Sequence, residues 1–490
     1  MSHSPHTRIR QLDGPRRTYY HPDDGLGEVD SLVRGGTGAA AMAAVRPALE
    51  RVPAGKGLYL PVRAKFAVAL ATATLWASVS FHLAQVWLGE LAGHIGLPLA
   101  GLAIFGVAII PGFMNAFLLA SLALDRRPRR KPLVRYPALS ILIAAYNEES
   151  TIVDTIRSIV RQDYPGNFEV IVINDGSKDT TAERVRGELA HYPWLRLIDL
   201  ERNGGKARAL NEGLAQARFR LIVTVDADSY LFASALQSIV ERYVQDPPGT
   251  RVVAGTVLVR NSRASWITQA QEWDYFHGIA AIKRIQSLFH GTMVAQGAFS
   301  LYDRATVVAA GGWPDCVGED IVLTWAILKA GHRVGHSEDA CLFTNAPATL
   351  GQFSRQRQRW SRGMIEAFKQ HPGILLKPRL STLFVFWNLM FPLLDLTFTV
   401  FFVPGLLLAL LGCYWIVGPM TLALIPMGMA MNYFMFSVGR KMFDERGLRV
   451  RRNVKGFLIY CLAYSLIMQP ICVLGYFAEI LNLRKTWGTK

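Results

Sequence analysis

The sequence predicts a mainly parallel α/β domain inserted between apolar helices that span a membrane. Long apolar runs occupy both flanks of the chain, whereas residues 136–378 alternate short apolar runs with amphipathic segments. Repeated βα units build a parallel sheet with helices on both faces. The 490 residues carry a formal net charge of +16, although 51% of them are hydrophobic. This combination favours a membrane protein with basic cytoplasmic loops over a nucleic-acid-binding protein.

The N-terminal part of the chain predicts an arm followed by two membrane spans. Residues 1–56 are rich in Gly, Pro, Arg and His and lack periodicity, so we expect a mobile arm. Within residues 57–125, the apolar runs Phe66–Leu88 and Leu97–Leu124 are long enough to cross a bilayer. Six basic residues follow within Arg126–Arg135. Because positive residues mark the cytoplasmic side, the domain after them is predicted to be cytoplasmic.

A buried strand followed by two carboxylates is the centre of the middle domain. Residues Leu221–Val225 form a wholly apolar run, and Asp226 and Asp228 follow it. Ligands of open α/β sheets bind beyond the carboxyl ends of the strands. Magnesium binds one or two protein carboxylates together with phosphate oxygens. The pair therefore indicates a site for a divalent cation and a diphosphate.

Further polar patches end other predicted strands or begin helices. Taken singly, each is typical of a turn or a helix cap, but their common position at one sheet edge favours a ligand site. The glycine pair Gly204-Gly205 permits close backbone approach, and Lys206 beside it can meet phosphate. The patches are Ala145–Glu149, Asn174–Ser177, Asn203–Lys206 and Gly318–Asp320.

A sixth patch lies on a predicted helix. Gln356, Arg359 and Trp360 are three and four residues apart and so share one helical face. A guanidinium binds phosphate oxygens and an indole stacks on a sugar, so this face suits a ligand that carries both. We interpret the neighbouring Arg355, Arg357 and Arg362 as juxtamembrane positive charge.

The C-terminal part predicts further membrane helices. Residues 379–389 are expected to form an interfacial helix, and residues 390–490 about three spans, at Met390–Leu411, Met420–Val438 and Gly456–Leu481. A cytoplasmic loop at 440–455 carries seven basic and two acidic residues. This arrangement places the C-terminus outside, although Arg484 and Lys485 argue mildly against it. Asp395, an acid in apolar sequence, is a candidate for lining a channel.

Six motifs resemble, in order, those of the membrane-embedded, processive family 2 glycosyltransferases, such as cellulose, chitin and hyaluronan synthases. The motifs are AAYNEE, NDGS, NGGKARALN, DAD, GED and QRQRW. The resemblance covers about Leu139 to Met364 and the flanking spans. Stretches such as GAFSLYDRA and EDIVLTW are most similar to the bacterial poly-β-1,6-N-acetylglucosamine synthases. The F-x-V-T-x-K loop of cellulose synthases is not matched, because Phe343-Thr344-Asn345 lacks the lysine.

The resemblance implies a GT-A fold and an inverting, processive transfer from a UDP-sugar, with UDP-N-acetylglucosamine as the best donor. The acceptor would be a growing β-linked polysaccharide that is exported across the plasma (inner) membrane. Asp320 would be the general base with Glu319 in support, and Asp228 would bind Mg²⁺ or Mn²⁺. The implied binding residues are Tyr146, Glu148 and Asp175 at the uridine, Lys206 and Asp226 at the nucleotide or its diphosphate, and Gln356, Arg359 and Trp360 at the diphosphate and acceptor sugar.

Two alternatives stay open at this point. The chain could be a non-processive transferase that glycosylates a membrane lipid or makes short oligosaccharides, since such enzymes carry a similar Gln-x-x-Arg-Trp pattern. It could also be a translocation subunit without catalysis, against which the intact Asp175, Asp228 and Asp320 speak. The lipid bilayer is a partner on either hypothesis, an accessory membrane subunit is left open, and no nucleic acid is indicated.

Overall fold

A computed structural model describes residues 60–126, 130–445, 448 and 452–483. The predicted arm at residues 1–56 lies outside the described residues, as do parts of both basic loops. The helices that precede the domain are α1 (Val62–Leu83), α2 (Gln85–Ile95) and α3 (Leu97–Leu124).

The domain between α3 and residue 378 contains, among its described residues, one eight-stranded sheet in the order β3-β2-β1-β4-β7-β6-β8-β5. Strands β3, β2, β1 and β4 are mutually parallel, β6 pairs parallel with β8, and β7 and β5 pair antiparallel with their neighbours. The elements in chain order are β1 (Leu139–Ala145), α4 (Ile152–Val160), β2 (Phe168–Asp175), α5 (Thr181–Leu189), β3 (Leu195–Leu200), α6 (Lys206–Gln216), β4 (Leu221–Val225), β5 (Tyr230–Leu231), α7 (Ala235–Gln245), β6 (Thr250–Val259), α8 (Trp266–Tyr275), α9 (Lys283–Leu288), β7 (Phe299–Asp303), α10 (Arg304–Ala309), α11 (Glu319–Lys329), β8 (Arg333–Thr344) and α12 (Leu350–Gln370).

The sheet is buried on both faces because its central strands are apolar at most positions. Along β2, Ile171 and Ile173 pack into one core with helix α6, whereas Val170 and Val172 pack into the opposite core with α4 and α5. Successive side chains of a strand point to opposite faces, so a continuous apolar run fills both layers. The predicted α/β sheet with helices on both faces is confirmed.

After the domain come α13 (Thr382–Leu410), α14 (Pro419–Glu445) and α15 (Val454–Ile480). Among the described residues, α1, α3, α13 and α15 are long and apolar enough to cross a membrane. The separate interfacial helix expected at 379–389 is not present, because α13 runs on through residues 389 and 390 without a break. Its first turns bury Phe384 and Val385 in the core of the domain, which fixes them as part of one continuous helix.

Asp395 of α13 is not exposed to a channel in this structure. It is 8% exposed and accepts a hydrogen bond of 2.8 Å from the Tyr476 hydroxyl of α15. The acid therefore joins two helices, as expected for an acidic group that is buried in apolar surroundings and needs a donor.

Helices α3 and α13 approach closely at a glycine. Gly106 lies in a π-helical turn of α3, and a Cβ atom at this position would lie 2.7 Å from the Cβ of Thr397. Thr397 is 1% exposed and cannot move away without displacing its neighbours. Gly101, one turn earlier in α3, would have no described atom within 4 Å of an added Cβ.

We expect Gly106→Ala to destabilise the protein by about 1–3 kcal/mol, because overpacking forces the two helices apart. Gly101→Ala is the matched control and should be neutral or slightly stabilising, since alanine has the higher helix propensity. Thermal unfolding of the detergent-solubilised variants measures both effects. Equal transition temperatures for the two variants would contradict the close packing of α3 on α13.

Candidate active site

The polar patches predicted at the ends of strands lie together at one edge of the sheet. Strands β1, β2 and β4 are parallel neighbours, so their carboxyl ends meet there. Tyr146 follows β1 and is 40% exposed. The Glu148 carboxylate accepts the Thr151 hydroxyl at 2.9 Å, which is the local contact of a helix start. The structure thus brings the residues that are expected to bind uridine to one edge of the sheet. The Glu148 carboxylate also has a hydrogen-bond partner there, the Thr151 hydroxyl.

Asp175, at the end of β2, holds the glycine loop that precedes α6. Its two carboxylate oxygens accept the backbone N–H groups of Gly204 at 2.9 Å and Gly205 at 2.8 Å. Gly205 has a φ of 89°, a conformation that glycine adopts without strain. Asp175 is 3% exposed. Its observed contacts are with this loop, so any contact with a nucleobase must use the remaining lone pairs of the carboxylate.

Lys206 begins α6 and forms an ion pair with Asp226, the first residue after β4. Burial alone would lower the pKa of Lys206, but the carboxylates of Asp226, Glu319 and Asp320 together raise it. The lysine is therefore held as a cation among three acids. A diphosphate that enters the site would meet this fixed positive charge.

Asp228 lies beyond β4 and accepts hydrogen bonds from the hydroxyls of Ser229 and Thr344, both at 3.3 Å. Among the described residues no group of three or more His, Cys, Asp or Glu side chains could enclose a metal ion. A single carboxylate with hydroxyl neighbours is a hard oxygen donor set. It fits Mg²⁺ or Mn²⁺ when substrate phosphate oxygens complete the coordination.

Glu319 and Asp320 form the first turn of α11. The Asp320 carboxylate accepts the backbone N–H of Gly297 at 3.2 Å and that of Ile321 at 2.7 Å. Burial raises the pKa of Glu319, and the neighbouring Asp320 raises it further, whereas Lys206 and Arg359 oppose the rise. The two acids therefore differ in environment, and Asp320 is the one that accepts two backbone hydrogen bonds.

A glycine contact places these acids beside α12. A Cβ on Gly318 would lie 2.9 Å from the carbonyl oxygen of Gly363, so the two backbones touch. The buried carboxylate of Glu366 accepts the Gly318 N–H at 2.8 Å. Arg359 contributes to the electrostatic environment of Glu319. The Gly-Glu-Asp turn and the Gln-x-x-Arg-Trp face thus belong to one site.

The Gln356 side chain is 9% exposed and donates through Nε2 to the Tyr275 hydroxyl at 3.3 Å. Its Oε1 and the Nε of Arg359 are buried and have no hydrogen-bond partner among the described residues. Trp360 is 40% exposed. Since buried polar atoms are normally paired, an amide oxygen and a guanidinium nitrogen without partners indicate a place for a polar ligand.

The interpretation of the other arginines of α12 as juxtamembrane charge is wrong for two of them. Arg357 is 5% exposed and pairs with Asp274 at 2.7 Å. Arg362 pairs with Glu479 of α15 at 3.2 Å. Arg355 is exposed, as expected. The difference arises because the acidic partners lie far away in the sequence, where no local pattern reveals them.

Sequence reasoning also missed Lys283, at the start of α9. It is 8% exposed, and its ammonium donates to the Val294 carbonyl at 2.8 Å and to the side-chain oxygen of Gln296. Burial lowers the pKa of Lys283 to about 7, while Asp320 opposes this shift. In the described part of the chain no carboxylate lies within ion-pairing distance of it. A single lysine gives no sequence signal of this kind.

The chain matches known proteins over its middle part. Residues 140–308 match the family model described as Glycosyl transferase family 2. The chain is 34% identical over 226 residues to the poly-beta-1,6-N-acetyl-D-glucosamine synthase of Staphylococcus aureus (strain COL), covering 46% of this chain and 54% of the relative. The synthase of the same name from Staphylococcus epidermidis is 32% identical over 248 residues, which cover 50% of this chain and 59% of the relative. The chain thus spans somewhat more than half the length of these curated relatives.

Among solved structures, the mannosyltransferase PcManGT from Pyrobaculum calidifontis in complex with GDP-Man and Mn²⁺ matches with a TM-score of 0.50. The match covers 81% of this chain and 99% of that chain at 17% identity, so it concerns the fold. The sheet and this match agree with a GT-A fold, which confirms the predicted fold class. Residues 140–308 match the glycosyl transferase family 2 domain that the motifs predicted.

We expect the buried Lys283 to make stability depend on pH. A lysine with a folded pKa of about 7 and an ordinary value of 10.5 when unfolded weakens the fold while it is protonated. This destabilisation is fully present below the pKa of the folded state and is lost as pH rises toward the pKa of the unfolded state. The free energy of unfolding of the wild type should therefore rise between pH 7 and 9, relative to that of Lys283→Met, by roughly 1 kcal/mol or more. The unfolding temperatures of the two proteins across this pH range measure the effect.

The control is Lys178→Met, a substitution in the exposed loop after β2, which should leave the pH dependence of the wild type unchanged. Parallel curves for wild type and Lys283→Met across this pH range would show that the ammonium is not depressed by burial.

Proposed function

We propose that this chain transfers a sugar from a UDP-sugar, with UDP-N-acetylglucosamine as the preferred donor, to a growing β-linked polysaccharide. The transfer inverts the anomeric centre and is processive. The observation that carries this proposal is the backbone contact that packs the Gly318–Asp320 turn against the helix of Gln356 and Arg359, whose buried polar atoms lack partners in the described structure. The named activity of the two staphylococcal relatives supports the polysaccharide product and the choice of sugar.

The donor would bind at the carboxyl ends of β1, β2 and β4. Tyr146, Glu148 and Asp175 would contact the uridine, and Lys206 and Asp226 would contact the diphosphate. Asp228 would hold Mg²⁺ or Mn²⁺, which when bound neutralises the charge that develops on the departing UDP. The Mn²⁺ in the PcManGT complex agrees with a divalent ion in this fold class.

Asp320 would act as the general base. It takes the proton from the acceptor hydroxyl while the oxygen of that hydroxyl attacks the anomeric carbon and the bond from that carbon to UDP breaks. The position of Asp320 in the first turn of α11 favours its ionised form. Glu319 beside it has a raised pKa and would keep a second negative charge from accumulating at the base. Trp360 would stack on the acceptor sugar.

The membrane helices give this reaction a direction. The domain lies between α3 and α13 in the chain, and α1, α3, α13 and α15 are long and apolar enough to span a bilayer. The basic segments beside them support a cytoplasmic position for the domain in a multi-pass plasma (inner) membrane protein. A product that grows beside the spans could pass outward as it lengthens.

We expect Asp320→Asn to lower UDP release by about 10²–10⁴-fold, because an amide cannot accept the proton. The assay measures UDP release and product size with reconstituted protein and UDP-N-acetylglucosamine, UDP-glucose or UDP-glucuronate. Asp315→Asn, an exposed aspartate just before α11, is the control and should retain activity. Long product from one donor supports the proposal. One or two sugars on a lipid would indicate the non-processive alternative, and equal release by wild type and Asp320→Asn would exclude this base.

We expect EDTA to abolish UDP release and added Mg²⁺ or Mn²⁺ to restore it. Asp228→Asn should raise the half-saturating metal concentration by about tenfold or more, because the carboxylate is the charged oxygen donor of the site. Asp154→Asn, at an exposed position of α4, is the control. Activity that survives EDTA would contradict a required metal, and an unchanged metal dependence in Asp228→Asn would move the site elsewhere.

A further inference from the structure

Arg357 lies beneath the indole of Trp360. Phe353, Arg357 and Trp360 are four and three residues apart and so share one face of α12. The guanidinium carbon is 4.2 Å from the ring centroid of Trp360 and 5.1 Å from that of Phe353. A planar guanidinium binds the face of an aromatic ring through its charge and its shape. One side of the Trp360 ring is therefore covered, while the residue as a whole stays 40% exposed.

Asp274 fixes the position of this arginine. Its Oδ2 lies 2.7 Å from Nη2 of Arg357 and accepts the hydroxyl of Tyr464 at 3.0 Å. Asp274 belongs to α8 of the domain, and Tyr464 belongs to α15, which is long and apolar enough to span a membrane. One carboxylate thus connects the domain, the helix with the Gln-x-x-Arg-Trp motif and the last helix.

The next residue of α8 contacts the other end of the motif. The Tyr275 hydroxyl accepts from Gln356, and the Tyr275 ring lies 6.0 Å from that of Trp360. The dipeptide Asp274-Tyr275 therefore supports two of the three motif residues, Gln356 directly and Trp360 through Arg357. This support comes from an element 80 residues earlier in the chain, which fixes the motif in space more firmly than α12 alone could.

We propose that Arg357, held by Asp274 and Tyr464, is a positioning residue that fixes the plane of the Trp360 indole for the acceptor sugar. This inference rests on the proposed function, because it takes Trp360 as the acceptor platform. An exposed tryptophan has several rotamers, and an acceptor that binds must select one of them. A stacked arginine selects that rotamer in advance, so acceptor binding loses less side-chain freedom.

The simpler explanation is that the Arg357–Asp274 pair only joins α12 to α8. Arg357→Lys separates the two explanations. Lysine keeps the positive charge and can still pair with Asp274, but it lacks the planar group that stacks on the indole. A purely structural pair would tolerate this change, whereas the platform would lose its orientation.

The test compares Arg357→Lys with wild type in full-length reconstituted protein, using a β-1,6-linked N-acetylglucosamine pentamer as acceptor. We expect the KM for the pentamer to rise by about fivefold to tenfold, the size of one stacking contact, with kcat and the KM for UDP-N-acetylglucosamine nearly unchanged. The polysaccharide made without added acceptor should become shorter. Tyr464→Phe should raise the same KM by a smaller factor, since only one hydrogen bond of Asp274 is lost.

Arg355→Lys, an exposed arginine on the same helix, is the matched control and should behave as wild type. If Arg357→Lys has the wild-type KM for the pentamer, the proposal is overturned. The proposal is also overturned if the KM values for the donor and for the pentamer rise equally, because an equal rise indicates general destabilisation. Direct binding of the pentamer, measured by calorimetry, distinguishes a failure of this inference from a failure of the proposed function. Weaker binding by Arg357→Lys than by an inactive wild type would still support the platform, whereas equal binding, or none by either protein, would refute it.

Discussion

The contact between Gly318 and Gly363 determines where the two parts of the site meet. A Cβ on Gly363 would lie 2.8 Å from the Cα of Gly318, so neither position accepts a side chain without moving a helix. Because these backbones touch, the first turn of α11 lies against α12, and the Glu366 carboxylate fixes it there through the Gly318 N–H. The glycine contact and this hydrogen bond hold the proposed base on α11 and the proposed acceptor platform on α12 in their relative positions.

Charge balance explains why acids and bases alternate around the sheet edge. Lys206 is surrounded by Asp226, Glu319 and Asp320, which together raise its pKa against the effect of burial. Even when the raised pKa of Glu319 keeps that group neutral, Asp226, Asp228 and Asp320 outnumber Lys206 and Arg359, so the site by itself would repel a diphosphate. A divalent ion at Asp228 would reverse this balance. Donor binding and metal binding should therefore depend on each other, and the Lys206–Asp226 pair should rearrange when phosphate oxygens compete for the ammonium.

The fold was predictable from sequence where the signal is local. Apolar runs such as Leu221–Val225 identify buried strands, and Asp226 follows such a strand directly, so its place at the sheet edge needs no distant information. Arg357 and Lys283 were not predictable in this way, because their burial depends on Asp274, Val294 and other distant residues. The expected break between 389 and 390 is not observed for the same reason, since Phe384 packs into a core that the domain shares with α1 and α3.

The helix with the Gln-x-x-Arg-Trp motif is joined to the last helix along much of its length. Near its middle, Asp274 connects Arg357 with Tyr464, and toward its end Arg362 and Lys369 both pair with Glu479 of α15, which is 2% exposed. Breaking a buried ion pair by removing one partner costs about 3–5 kcal/mol. Sliding α12 along α15 would separate both pairs to Glu479, of which the Arg362 pair is largely buried. On the proposed function, the growing sugar chain would therefore move past a fixed platform, and the moving part would lie outside the unit formed by α12 and α15.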